Sequence, residues 1–111
     1  MASKYTSVNH FDPLQGDTFD FGGTVTGVDP AVIGGTLISK TFDINISLAM
    51  DADHLGAHHA ALYEPNAGNM QGKVFLVVDL NGVAGYQAGE DAVIHLNHAS
   101  NLDHIDASTF V

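Results

Sequence analysis

The residues best suited to chemistry lie in a loop near the end of the chain, within "VFLVVDLNGVAGYQAGEDAVIHL" at positions 74–96. Nearly all polar side chains of this loop carry oxygen: Asp79, Asn81, Gln87, Glu90 and Asp91. Carboxylate, amide and carbonyl oxygens are the ligands that Ca²⁺ prefers, and the interval from Asp79 to Glu90 is the one between the first and last ligands of an EF-hand loop. The loop therefore predicts a Ca²⁺ site.

The EF-hand pattern is incomplete, and two interpretations of the loop remain open. In the first, Asp79 and Asn81 bind Ca²⁺ through their side chains, and Val83 binds through its carbonyl oxygen. Glu90 or Asp91 then completes the ligand set, although the sixth loop position lacks the usual glycine. In the second, the loop is a tight hairpin whose Asp and Asn side chains only accept hydrogen bonds from backbone N–H groups.

A second candidate metal site consists of two histidines. His54 and His58 are four positions apart, so on a helix they would share one face and could chelate a transition-metal ion. The alternative is that they lie on a solvated helix face. The sequence "HLGAH" lacks the glutamate of the H-E-x-x-H metalloprotease motif.

Composition limits the classes of function. The 111 residues include 13 acids, three lysines, no arginine and no cysteine, and the formal net charge is -10. Such a charge repels phosphate backbones and anionic lipid, so we expect neither nucleic-acid nor membrane binding. Without cysteine there is no thiolate or disulfide chemistry. No G-x-S-x-G or P-loop motif is present, so the chain is not expected to be an enzyme.

The loop must be positioned by the elements around it. Positions 74–78 and 92–96 predict two strands of a hairpin, and alternating residues predict further strands at 18–21 and 37–48. An Asp N-cap, apolar residues at helical spacing and Pro65 predict one surface α-helix around 52–63. One turn of helix is expected at 30–33. The predicted fold is mainly β, a single domain over 1–111 with a small sandwich or rolled sheet of about five to seven short strands.

Both ends of the chain resemble the domain that follows the repeats in RTX-type calcium-binding proteins. The opening "VNHFDPLQGDTFDFGG" is similar to the family's "I-x-D-F-x-x-x-x-G-D-x-I-D-L-S-G". The closing "VFLVVDLNGVAGYQAGEDAVIHL" and "IDASTFV" resemble the final hairpin and apolar end of these proteins, including the serralysin C-terminal region. The resemblance covers about half of the chain.

This resemblance implies a product secreted by a Gram-negative type I export system. In the family the export signal is the uncleaved C-terminus, an acidic residue followed by apolar ones, and Asp106 and 110–111 stand in those places here. The chain would be a non-catalytic C-terminal module that caps a calcium-filled β-roll, with the secretion machinery and an upstream repeat domain as partners. The G-G-x-G-x-D repeat itself is absent, and the loop is longer than the family's D-x-x-G-D-G-x-x-D. The alternative function is a ligand-binding or adhesive surface module with a transition metal at His54 and His58.

Overall fold

The fold is a six-stranded sheet with one α-helix, and a computed structural model describes residues 6–20 and 25–110. The helix α1 is Phe42–Ala49. The strands are β1 (Thr6–Asn9), β2 (Gly27–Val28), β3 (Val32–Ile33), β4 (His59–Glu64), β5 (Phe75–Val78) and β6 (Ala92–Asn97). Short 3₁₀ segments lie at Pro13–Gln15, Ser39–Thr41, Leu102–His104 and Ala107–Thr109. The prediction of a mainly β fold of five to seven short strands with one helix is confirmed.

The sheet is mixed, with the order β1-β6-β5-β4-β2, and β3 pairs with the same strand as β2. The central strands β4, β5 and β6 are antiparallel, whereas β1, β2 and β3 join their neighbours in parallel. The predicted hairpin is confirmed: Val78 pairs with Ala92, so the loop 79–91 joins β5 directly to β6. This pairing holds the two ends of the loop side by side.

Both faces of the sheet are covered, and β5 is buried on each of them. Phe75 and Val77 belong to the core on the helix side, and Leu76 and Val78 belong to the core on the other side. The first core includes Phe42, Ile46 and Met50 from α1 and its end, and the second includes Phe11, Phe19 and Ile105 from the two terminal segments. A strand that is buried on both faces has a continuous apolar sequence, which is why "VFLVV" predicts a strand.

The predicted strand at 37–48 is wrong, because 42–49 form α1. Phe42 and Ile46 are buried while Ile44 and Leu48 are exposed, so the burial repeats every four residues. Apolar residues at every second position are also apolar at every fourth position. A helix can bury the residues four apart and leave those between them exposed. The Asn45 side chain also accepts hydrogen bonds from Ile38 N and Thr41 Oγ1, which fixes the start of the helix.

The predicted helix around 52–63 is wrong, because 59–64 form β4. Asp51 does begin a turn, accepting hydrogen bonds from the backbone N–H groups of Asp53, His54 and Leu55. The turn ends at Gly56, and His58 has a left-handed backbone with φ 56°. β4 lies inside the sheet with residues buried on both faces, so it lacks the alternation that identifies a strand from sequence.

Two smaller predictions have different outcomes. The turn of helix expected at 30–33 is wrong, since Val32–Ile33 is β3 and pairs with Tyr63 and Glu64. Of the strand expected at 18–21, the described residues 18–20 show one bridge, between Phe19 and Phe110, and Phe19 is buried as expected. Phe21, also predicted to be buried, lies outside the described residues. Over the described ranges, no helix has the length and apolar character needed to cross a bilayer.

The helical conformation of α1 predicts unequal effects for two isoleucines. Ile46 is fully buried and Ile44 is 63 % exposed. Ile46→Val should lower the free energy of unfolding by about 1 kcal/mol, whereas Ile44→Val should change it by less than about 0.5 kcal/mol. Urea unfolding followed by circular dichroism measures both. In a strand the two residues would share one face, so similar losses would contradict the helix.

Candidate calcium site

Asp79 is the first residue of the loop, and its side chain is fully buried. Its backbone N–H still donates to His59 O at 2.9 Å, which extends the ladder between β5 and β4 by one residue. Its Oδ2 accepts hydrogen bonds from His58 N at 2.7 Å and from Gly82 N at 3.1 Å. Asp79 therefore joins the loop 79–91 to the turn that precedes β4.

Asp91 faces the loop from its other end, next to β6. Its Oδ1 accepts from Leu80 N at 3.0 Å and its Oδ2 accepts from Gln87 N at 2.7 Å. Burial raises the pKa of the Asp91 carboxyl above its ordinary value, and the nearby charge of Asp79 raises it too, while the N–H donors of Gln87 and Leu80 lower it. A bound cation stabilises two like charges that are held close together in a partly buried loop.

Two side-chain oxygens of this loop are buried without a hydrogen-bond donor among the described residues. They are Asp79 Oδ1 and Gln87 Oε1. A third such oxygen among the described residues, Tyr63 Oη, lies outside the loop, in the core on the helix side. A buried oxygen with no partner costs about 1–3 kcal/mol, and more when it is charged. A carboxylate oxygen and an amide oxygen are also the donor types of a Ca²⁺ site.

The loop is anchored to the rest of the fold. Tyr86 donates its hydroxyl hydrogen to Asp43 Oδ1 at 2.8 Å, and its backbone N–H donates to Met50 O at 2.8 Å. Burial raises the pKa of the Tyr86 hydroxyl, and the hydrogen bond to Asp43 raises it further, so this hydroxyl stays a donor. Gly82, whose N–H donates to Asp79, has φ 78°, a left-handed backbone conformation that favours glycine. These contacts fix the loop against the rest of the fold.

A cleft lies at the Asp91 end of the loop. The cleft has a volume of about 380 Å³, and it is lined by Asp43, Tyr86, Ala88, Gly89 and Asp91. Asp91 thus belongs both to the cleft and to the hydrogen-bonded loop. Asp79 and Gln87 are not among the residues that line it.

The other predicted ligands serve local roles or lie exposed. Asn81 Oδ1 accepts a hydrogen bond from Val83 N at 3.0 Å, which is the local turn that the alternative interpretation describes. Val83 is 56 % exposed, and Glu90 is exposed in a turn. The structure thus brings Asp79 and Asp91 together across the loop. Gln87 was recognisable as an oxygen carrier but not as a ligand, because no EF-hand spacing assigns it that role.

The helical geometry predicted for His54 and His58 is wrong. His54 lies in the turn that Asp51 begins, with its Nδ1 2.7 Å from Asp51 Oδ1, and the backbone at His58 is left-handed. The two residues therefore share no helix face. In the described ranges 6–20 and 25–110, no three or more His, Cys, Asp or Glu residues form a group that could hold a metal ion. The loop would hold Ca²⁺ with two carboxylates and an amide, completed by carbonyl or water oxygens.

Comparisons with protein-family models, with curated proteins and with solved structures found no match to this chain.

Proposed function

We propose that the chain is a non-catalytic module whose loop 79–91 binds Ca²⁺, and that it is the C-terminal cap and export portion of an RTX-like secreted protein. The observation that carries the calcium part is that two buried oxygens of this loop, Asp79 Oδ1 and Gln87 Oε1, have no donor among the described residues, while the Asp91 carboxylate accepts a hydrogen bond from Gln87 N. An ion bound there would offset both their missing hydrogen bonds and the repulsion between the two carboxylates.

The donor types favour Ca²⁺ over other divalent ions. Every side chain that supports the proposal offers oxygen, which suits a hard cation and does not suit Zn²⁺ or Cu²⁺. Mg²⁺ demands a near-octahedral shell at about 2.0–2.1 Å and gives up its water reluctantly, whereas Ca²⁺ accepts six to eight oxygens in irregular geometry. A loop that offers fixed carboxylates together with carbonyl oxygens therefore suits Ca²⁺ better than Mg²⁺.

The export part rests on the resemblance of 8–23 and 74–111 to the RTX family, and the charge supports it. A net charge of -10 opposes compaction by self-repulsion. Ca²⁺ that binds only the folded state adds stability by mass action. The chain would therefore be less stable where Ca²⁺ is scarce and more stable where it is millimolar. Its partners would be the type I secretion machinery and an upstream repeat domain, outside a Gram-negative cell.

The calcium part predicts an ion-specific gain in stability. Ca²⁺ at 100 times its dissociation constant should raise the free energy of unfolding by about 2.7 kcal/mol. For a domain of this size, that corresponds to a rise in melting temperature of roughly 10 °C. Mg²⁺ at the same concentration is the control and should produce little change. Identical melting curves in chelator and in 10 mM Ca²⁺ would contradict the calcium proposal.

The export part is tested separately, by fusing the chain behind a reporter in a Gram-negative host. Export that requires a co-expressed type I transporter supports it, and retention of the reporter contradicts it. The two results are independent, because a protein can bind Ca²⁺ without being exported.

A further inference from the structure

Two histidines lie side by side where the parallel strands β1 and β6 end. The last pair of the register is Asn9 with Asn97. His10 is therefore the first residue after β1, and His98 is the first residue after β6. Their rings are stacked, with centroids 5.6 Å apart and an angle of 19° between the planes. Both side chains are exposed, and neither belongs to the loop 79–91.

The backbone at both histidines is unusual. His10 has φ 60° and His98 has φ 54°, the left-handed region that residues other than glycine rarely adopt. Such conformations persist only where the surrounding structure imposes them, and they are common at ligand sites. Here the same conformation recurs at the two positions that follow the last pair of the register, and the two imidazole rings stack on each other.

Hydrogen bonds on both sides hold this arrangement in position. The Asn97 amide donates to Asn9 Oδ1 at 2.8 Å just before the histidines, and His10 N donates to Asn97 O at 2.9 Å. Just after them, Ser100 N donates to Phe11 O at 3.0 Å. The backbones that carry the two rings are therefore fixed relative to each other, which lowers the entropic cost of binding one ligand with both.

We propose that His10 and His98 form a two-histidine site for a divalent transition-metal ion such as Cu²⁺, Ni²⁺ or Zn²⁺. Imidazole nitrogen is the ligand that these ions share, and metal–nitrogen distances of about 2.0–2.1 Å place two ligating nitrogens within about 4 Å of each other. Rings with centroids 5.6 Å apart reach that separation by rotating about their side-chain bonds. Water fills the other coordination positions. Cu²⁺ binds more tightly than either Ni²⁺ or Zn²⁺.

The test titrates Zn²⁺ and Cu²⁺ into the full chain with Ca²⁺ in excess, so that the loop 79–91 does not compete. His10→Asn and His98→Asn remove one ring each, and asparagine tolerates the left-handed backbone. The matched control is His58→Asn, because His58 is also exposed and left-handed, with φ 56°. Calorimetry measures the affinity, and the histidine Cε1–H signals in NMR spectra identify the ligands.

We expect binding of one ion, weakened by about a hundredfold or more in each of the two variants and unchanged in the control. In the native protein the ring signals of His10 and His98 should shift together with Zn²⁺ and broaden together with Cu²⁺. This spectrum decides the question even if a variant fails to fold. Ring signals that do not respond, or equal affinity in all three variants, would overturn the proposal and leave only a stacked pair of rings.

Discussion

Replacing Asp79 by Asn should abolish the stabilisation by Ca²⁺ while leaving the calcium-free protein as stable as before, or more stable. The native protein should gain about 2.7 kcal/mol at 100 times the dissociation constant, and the variant should gain nothing. The measurement is thermal unfolding of both proteins with chelator and with 10 mM Ca²⁺.

The reason lies in how Asp79 divides its two oxygens. Oδ2 accepts from His58 N and Gly82 N, and the single oxygen of an asparagine side chain can accept the same two hydrogen bonds. The amide nitrogen then replaces Oδ1, the fully buried oxygen that has no donor among the described residues. The substitution removes a buried charge and keeps the loop, but an N–H₂ group cannot bind a cation.

Asp103→Asn is the matched control. It removes the same charge from a side chain that is 84 % exposed, and Asp103 follows the end of β6 opposite to the loop. This variant should keep the full response to Ca²⁺. If Asp79→Asn also kept that response, or if it unfolded the protein in chelator, Asp79 would be a structural residue and not a ligand.

Gly68→Ala should be the most destabilising substitution among the glycines that the structure describes, by about 2–5 kcal/mol. A Cβ at this position would lie 2.2 Å from the backbone oxygen of Leu37 and 2.8 Å from its carbonyl carbon. The same backbone is fixed by two further bonds, from Leu37 N to Ala67 O and from Met70 N to Leu37 O. The clash cannot be relieved without separating the turn 65–72 from the segment that leads into α1. Urea unfolding measures the loss.

Gly72→Ala separates this clash from the ordinary cost of a left-handed residue. Gly72 has φ 82°, close to the 89° of Gly68, but a Cβ there meets no atom of the described residues within 4 Å. We expect it to cost only about 1–2 kcal/mol. Equal losses in the two variants would mean that the close approach to Leu37 does not matter.

The sequence was sufficient to predict the hairpin, because its signals are local. β5 is buried on both faces and β6 is joined to it directly, so each strand forms one short apolar run and the polar loop stands between them. The two ligand candidates at the ends of that loop, Asp79 and Asp91, follow from the same register. A hairpin brings its loop ends together whatever the rest of the chain does.

The exchange of helix and strand before the hairpin could not be foreseen from local patterns. The alternation from Phe42 to Leu48 fits a strand, and only the packing of Phe42 and Ile46 against the sheet selects the helix. In β4, the pairing with strands on both sides selects an extended chain over the weak helical spacing of Leu55, His59 and Leu62. In both places contacts with distant residues outweigh local propensity.

The detail of the candidate site was also beyond the sequence. Spacing suggested Glu90 as a closing ligand, but the backbone of the loop bends so that Glu90 is exposed while Asp91 accepts two hydrogen bonds inside it. Gln87 is a candidate ligand because its side-chain oxygen is buried without a donor in the described part of the chain. Such facts depend on the three-dimensional course of the loop and not on the order of its residues.

The central claim is that a Ca²⁺ ion binds between Asp79 and Gln87, and anomalous diffraction from crystals grown with CaCl₂ tests it most directly. We expect a peak within about 2.3–2.6 Å of both Asp79 Oδ1 and Gln87 Oε1, with further oxygens completing a shell of six to eight. A loop without anomalous density at 10 mM Ca²⁺, or an ion held only by exposed acids such as Glu90, would contradict it.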